Sequence, residues 1–109
     1  MHSFDLIAHL RRQQAFSRHA FGPGERLDGV LDHITEEIDE VRQAPDDIME
    51  WIDLVLLSFD GALRQGFTPE QVAQALDDKL TTNVFREWPN WRDADPNKAI
   101  KHTPENTHD

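Results

Sequence analysis

The stretch from Ile48 to Phe59 constrains this chain's fold more than any other. Nine of its twelve residues are apolar, and only Glu50, Asp53 and Ser58 interrupt it. A helix that is apolar on every side is a central helix, covered by its neighbours. β-branched runs and strict apolar–polar alternation are missing elsewhere. Strands therefore find no support, and the chain reads as all-α.

Four helices are expected around that centre. The first spans residues 4–20 with Ser3 as N-cap, and Phe21-Gly22-Pro23-Gly24 stops it. The second spans residues 25–43, with Leu27, Val30, Leu31, Ile34, Ile38 and Val41 on one face. Pro45-Asp46-Asp47 opens the third, with acids where the helix dipole favours them, and it runs to residue 65. Thr68-Pro69-Glu70-Gln71 is a capping box that opens the fourth, which runs to residue 87. Trp88-Pro89-Asn90-Trp91 breaks it, and one short turn is expected near residues 95–100. At 109 residues the chain is one domain by ordinary sizes, placed at residues 1–102, with residues 103–109 a mobile tail.

Composition narrows the function. There are 21 acidic residues against 11 Lys and Arg, a net charge of -10, so the phosphate backbone of DNA or RNA repels this chain. Cysteine is absent, which excludes disulfides, a thiol nucleophile and cysteine-ligated metals. A mean hydropathy of -0.67 and the lack of a long apolar run argue against a membrane span. The first ten residues show no apolar secretory core, so the expected location is the cytoplasm.

The chemistry is carried by two acidic pairs. Glu37 and Glu40 are three apart on the second helix, and Glu50 and Asp53 are three apart on the third. Residues at that spacing share a helix face. At 100° per residue Glu37 lies about 75° from the centre of its helix's apolar stripe, at the seam with a neighbour. The short connection makes the two helices antiparallel neighbours, so both pairs face one gap. Four converging carboxylates repel one another, and a divalent cation between them resolves this. All-oxygen ligation selects Mg²⁺ or Mn²⁺. The competing reading is a solvated face for Glu36, Asp39 and Glu40, and a buried salt bridge for Glu50 and Asp53. The presence of both pairs on adjacent helices favours the metal. Asp60 is either an auxiliary ligand or a hydrogen-bond acceptor at the helix end, and the latter is preferred. His33 lies beside the acidic flank.

The segment Glu36-Glu37-Ile38-Asp39-Glu40, followed by Glu50-Trp51-Ile52-Asp53, resembles the EExxE…ExxD signature of the MazG-like all-α nucleoside triphosphate pyrophosphohydrolases. Phe21-Gly22-Pro23-Gly24, Val30-Leu31-Asp32-His33-Ile34, Asp60-Gly61-Ala62 and Trp88-Pro89-Asn90-Trp91-Arg92 bring it closer to the phage-type dATP/dGTP pyrophosphohydrolases, the MazZ-like group. So does Ala94-Asp95-Pro96-Asn97-Lys98-Ala99-Ile100. The resemblance covers residues 16–102. One departure is the nine-residue gap between Glu40 and Glu50, shorter than in many MazG proteins.

The resemblance implies a four-helix unit that associates into dimers or tetramers. It also implies Mg²⁺-dependent cleavage of a purine deoxynucleoside triphosphate, dGTP or dATP, to the monophosphate and pyrophosphate. In phages this shapes nucleotide pools for genomes carrying 2-aminoadenine. Glu37, Glu40, Glu50 and Asp53 fall on the metal-ligand positions. Glu36 falls on the extra acidic position that orients or deprotonates water, and Glu36 and Glu37 are the catalytic candidates. Lys79, Asn83 and Arg86 share a face of the fourth helix and match residues near the phosphates and sugar. Trp88, Trp91 and Lys98 are further substrate-binding candidates; Trp51, Arg92 and Lys101 are weaker ones. The alternatives are a housekeeping hydrolase of other triphosphates and a non-catalytic helical interaction module.

Overall fold

The computed structural model describes residues 3–104. The chain is all-α: α1 is Leu6–Phe21, α2 Leu27–Gln43, α3 Ile48–Arg64 and α4 Pro69–Phe85, with a 3-10 turn at Trp91–Asp93. No strand is present among the described residues. Tertiary contacts gather the chain into two compact units, one ending at Ala75 and the other beginning at Leu76. The division falls inside α4.

Each helix start follows from the strongest local acceptor. Asp5, not Ser3, caps α1, its Oδ1 accepting the Ala8 N–H at 3.1 Å. A carboxylate is the stronger acceptor for the orphaned N–H groups of a first turn. Glycine 22, at φ +86°, lets the chain leave α1 while its N–H bonds the Arg18 carbonyl. Glu25 and Arg26 stand immediately before Leu27, where a Ser, Thr, Asp or Asn would cap a helix. The start of α2 accordingly has no side-chain cap, and Arg26 takes a left-handed conformation at φ 44°. Asp47 caps α3 through the Met49 N–H at 3.0 Å. The capping box of α4 is formed reciprocally, Thr68 N–H to Gln71 Oε1 at 2.9 Å and Gln71 N–H to Thr68 Oγ1 at 3.1 Å.

In the first unit α3 packs against both α1 and α2. Leu10, Leu63 and Val72 form a buried cluster flanked by Leu6, Phe59, Ala62 and Ala73. At Gly61 an added Cβ would stand 3.4 Å from Val30 Cγ1, so a bare backbone lets α2 approach α3 closely there. The N-terminal half of α3 departs from the expectation of a helix covered all round. Ile48 and Met49 are 69% and 68% exposed, and Ile52 and Val55 are exposed as well. Three helices of this length cannot surround a fourth within so small a unit.

One buried side chain ties the helix ends together. Arg64 bonds Asp60 Oδ2 through Nε at 3.0 Å. Its Nη1 donates to the Gly22 and Gly24 carbonyls at 3.0 and 2.8 Å, and its Nη2 to the Ser17 carbonyl and hydroxyl at 3.2 and 2.8 Å. Asp60 is thus the helix-end acceptor that the sequence favoured.

In the second unit the chain returns along the end of α4. Trp88 Nε1 donates to the Asn83 carbonyl at 2.8 Å and its ring meets His102 edge-on at 5.9 Å. The Thr103 N–H bonds the Glu87 carbonyl at 2.8 Å. The expected turn is present, with Asp95 accepting the Asn97 N–H through its side chain and the Lys98 N–H through its carbonyl. Of the tail expected at residues 103–109, residues 105–109 lie outside the described ones.

Replacing Arg64 by Met should cost about 3 kcal/mol, because it strands a buried carboxylate and three carbonyls. Urea denaturation checks this, and Arg64→Lys, with a single point donor, should recover only part of the loss.

Candidate metal and nucleotide site

Four residues join α2 to α3, so the helices lie antiparallel and their facing residues pair outward from the loop. Glu40 and Glu50 each stand five residues from Pro45, and Glu37 and Asp53 each stand eight. This register brings together one carboxylate oxygen each of Glu37, Glu40 and Glu50, all within 4.8 Å of one another. Glu37 is buried at 4% exposure, Glu50 is half-buried and Glu40 is exposed. Asp53 is exposed and stands outside that group. It lines, with Glu37, a cavity of about 220 Å³ that opens beside the carboxylates. Glu36 is exposed on α2 and also outside the group.

Glu37 Oε1 and Glu50 Oε2 are buried and take no hydrogen bond. The Glu37 carboxyl is pushed up to about 8. The first cause is the hydrogen bond it shares with the Glu50 carboxyl, which only a protonated form can make. Desolvation follows, then the hydrogen bond and charge of Glu40 and the charge of Glu50. Three oxygen donors and two orphaned buried oxygens suit a hard divalent cation, which would satisfy both and remove the repulsion.

The other candidates fall into two groups. His33 lines the cavity, one turn from Glu37, with its ring edge-on to Phe21 at 6.3 Å. Trp51 does not line that cavity. Its Nε1 bonds the Pro45 carbonyl at 2.9 Å, and it borders a groove with Ile38, Val41 and Leu54. Lys79, Asn83, Arg86, Trp88, Trp91 and Lys98 belong to the second unit. There Arg86 Nη1 bonds Asn83 Oδ1 at 3.1 Å, and the Arg92 guanidinium lies 4.5 Å from the centre of the Trp91 ring. Sequence reasoning missed the contribution of α1, whose Gln13, Phe16 and Ser17 line the cavity. Gln13 and Ser17, four apart on an otherwise apolar stripe, were the available signal.

The raised Glu37 group fixes a pH dependence. Folded, it holds its proton up to about 8, against 4.5 ordinarily. Between those values the folded state binds the extra proton, so stability falls as pH rises through the window and levels above it. In EDTA the melting temperature should drop from pH 5 to pH 8. Glu37→Gln should flatten this profile, and a saturating divalent cation should reverse it at pH 8.

The model of the dATP/dGTP pyrophosphohydrolase family matches residues 9–106. The Eaa protein of Salmonella phage P22 is 38% identical over 61 residues, covering 56% of this chain and 19% of that protein. The chain therefore spans about a fifth of that relative's length. No solved structure matches. No described helix is long and apolar enough to cross a membrane. The family match runs through α1 to α4 and takes in every carboxylate of the cluster. The chain belongs to the dATP/dGTP pyrophosphohydrolase family.

Proposed function

We propose that this protein is a Mg²⁺-dependent pyrophosphohydrolase that converts a purine deoxynucleoside triphosphate, dGTP or dATP, to the monophosphate and pyrophosphate. The observation that carries the reading is the convergence of Glu37, Glu40 and Glu50, two of them with buried unpartnered oxygens, within the family-matched stretch. These three would hold the cation, with Asp53 completing the set from the cavity side. Mg²⁺ is favoured by the all-oxygen donors, and Mn²⁺ would substitute. When bound, such an ion neutralises the triphosphate and lowers the pKa of water near it. Two Mg²⁺ would raise the net charge from -10 to -6.

In the reaction a water oxygen bonds the α-phosphorus while the bond from that phosphorus to the α–β bridging oxygen breaks, and pyrophosphate leaves. Glu36 orients the water or takes its proton. Glu37 is the second catalytic candidate, and it would also hold the cation. Lys79 and Arg86 supply positive charge for the phosphates, with Asn83 orienting Arg86. Lys98 adds charge, and Trp88 and Trp91 offer aromatic faces to the nucleotide. The setting is a nucleotide pool in the cytoplasm, of a phage host if the gene is viral, with no nucleic-acid or membrane partner.

Product analysis with the four dNTPs and four NTPs tests this. Mg²⁺-dependent dGMP or dAMP plus pyrophosphate is the expected result, abolished by EDTA. Release of orthophosphate would overturn the assigned bond, and the absence of any turnover would leave the cluster structural. Glu50→Gln should lower turnover at least about 100-fold with the fold retained.

Self-association completes the reading. Ile48, Met49, Ile52 and Val55 present an exposed apolar strip on α3 that a second copy would cover in a homodimer or tetramer. Ile52→Glu should reduce the mass seen by analytical ultracentrifugation.

A further inference from the structure

Glu50 stands in the first turn of α3, and packing holds that turn weakly. Its neighbours Ile48 and Met49 are exposed, and Glu50 itself is half-buried. The first N–H groups of a helix have no partner within it, so an opening turn stays in place through its cap and its connections. Asp47 supplies the cap, accepting the Met49 N–H at 3.0 Å. A run of backbone hydrogen bonds leads from there to α2. The Glu50 N–H bonds the Asp47 carbonyl at 3.2 Å, the Asp47 N–H bonds the Ala44 carbonyl at 3.0 Å, and the Ala44 N–H bonds the Glu40 carbonyl at 3.0 Å. The run begins at one glutamate of the cluster and ends at another.

The middle of that run is a turn, closed between Ala44 and Asp47, with Pro45 and Asp46 at its centre. Types I and II of such a turn differ by a flip of the middle peptide, and proline in the second position suits both. The closing backbone bond is common to the two types and leaves the choice open. The Pro45 carbonyl belongs to the middle peptide, and Trp51 Nε1 donates to it at 2.9 Å. Trp51 follows Glu50 directly in α3. It also borders a groove with Ile38 and Val41 of α2 and Leu54 of α3. One side chain thus connects the turn to the seam between the two helices, next to Glu50.

We propose that Trp51 is a positioning residue for the cation site. Its bond to Pro45 holds the link in one conformation and so fixes where Glu50 stands against Glu37 and Glu40. The inference rests on the reading of these three carboxylates as a cation site, given above. In this role the indole touches neither cation nor nucleotide and acts through Glu50. A small hard cation such as Mg²⁺ demands oxygens at about 2.0–2.1 Å in near-octahedral geometry. Freedom in one of three carboxylates therefore lowers affinity, and groups that orient metal ligands are commonly worth about 10–100-fold.

The test uses the full chain with Mn²⁺ as the probe, the free ion being counted by electron paramagnetic resonance. Trp51→Phe keeps an aromatic ring and removes the N–H donor. It should raise the Kd for Mn²⁺ about tenfold. In metal-free protein the Met49 and Glu50 amides should exchange with deuterium faster in this variant, while those of Leu10 and Leu63 keep their wild-type rates. Leu54→Ala removes packing from the same groove. It should lower the Tm in EDTA at least as much as Trp51→Phe and leave the Kd within about twofold of wild type. Should Trp51→Phe not fold, a tryptophan analogue with sulfur in place of the indole N–H, placed at position 51 by nonsense suppression, keeps the ring shape and should raise the Kd by the same factor. A wild-type Kd in the variants that lack the donor overturns the proposal, as does a Kd that follows the loss of Tm equally in Leu54→Ala. Wild-type protein that binds no Mn²⁺ defeats the cation-site reading and this inference together, whereas binding that is indifferent to the Trp51 donor defeats this inference alone.

Discussion

Four residues between two helices govern most of this molecule. The link from Ala44 to Asp47 is short, α2 and α3 pack on each other as a hairpin, and Asp47 fixes where α3 begins. With the register set, Glu37, Glu40 and Glu50 have to converge. The same register sets Val30 against Gly61 further from the loop, where an added Cβ would stand 3.4 Å from Val30 Cγ1. Packing at one end of the hairpin and repulsion at the other are consequences of a single geometric constraint.

That repulsion opposes folding. The hydrogen bond with Glu50, burial and the neighbouring carboxylates hold a proton on Glu37 that it would lose in water. A divalent cation held among these carboxylates would offset that cost. Sites for divalent ions are commonly strained in this way without their ligand, and the stability released on binding reports on the site. The Arg64 cluster acts in the opposite direction. Each Arg64 N–H has an acceptor, and together these bonds join α3 to α1 and to the α1–α2 connection.

The apolar surface of α3 and α4 follows from size. A unit ending at Ala75 buries one small cluster around Leu10, Leu63 and Val72, and the remaining aliphatic residues have nowhere inward to go. Leu76, Leu80 and Val84 stand at spacings of four on α4 and are exposed in the same way.

Helix number, the capping box at Thr68 and the acidic pairs were legible in the sequence, because each is a local pattern whose physics acts within a few residues. The start of α1 was misread by two residues, since Ser3 and Asp5 are both competent caps and only the folded turn shows which one is used. Long-range placement was not legible. The acids Glu37, Glu40 and Glu50 cluster while Asp53 turns to the cavity, a distinction that depends on side-chain direction across two helices and not on spacing along one. The role of α1 in the cavity, and the anchoring of Ser17 to Arg64 across 47 residues, likewise have no local signature. The sequence by itself determined an all-α chain with a carboxylate-rich hairpin, because periodicity and turn chemistry are short-range. Only the tertiary structure decided which carboxylates meet and which side chains wall the pocket beside them, because those depend on how separate helices pack.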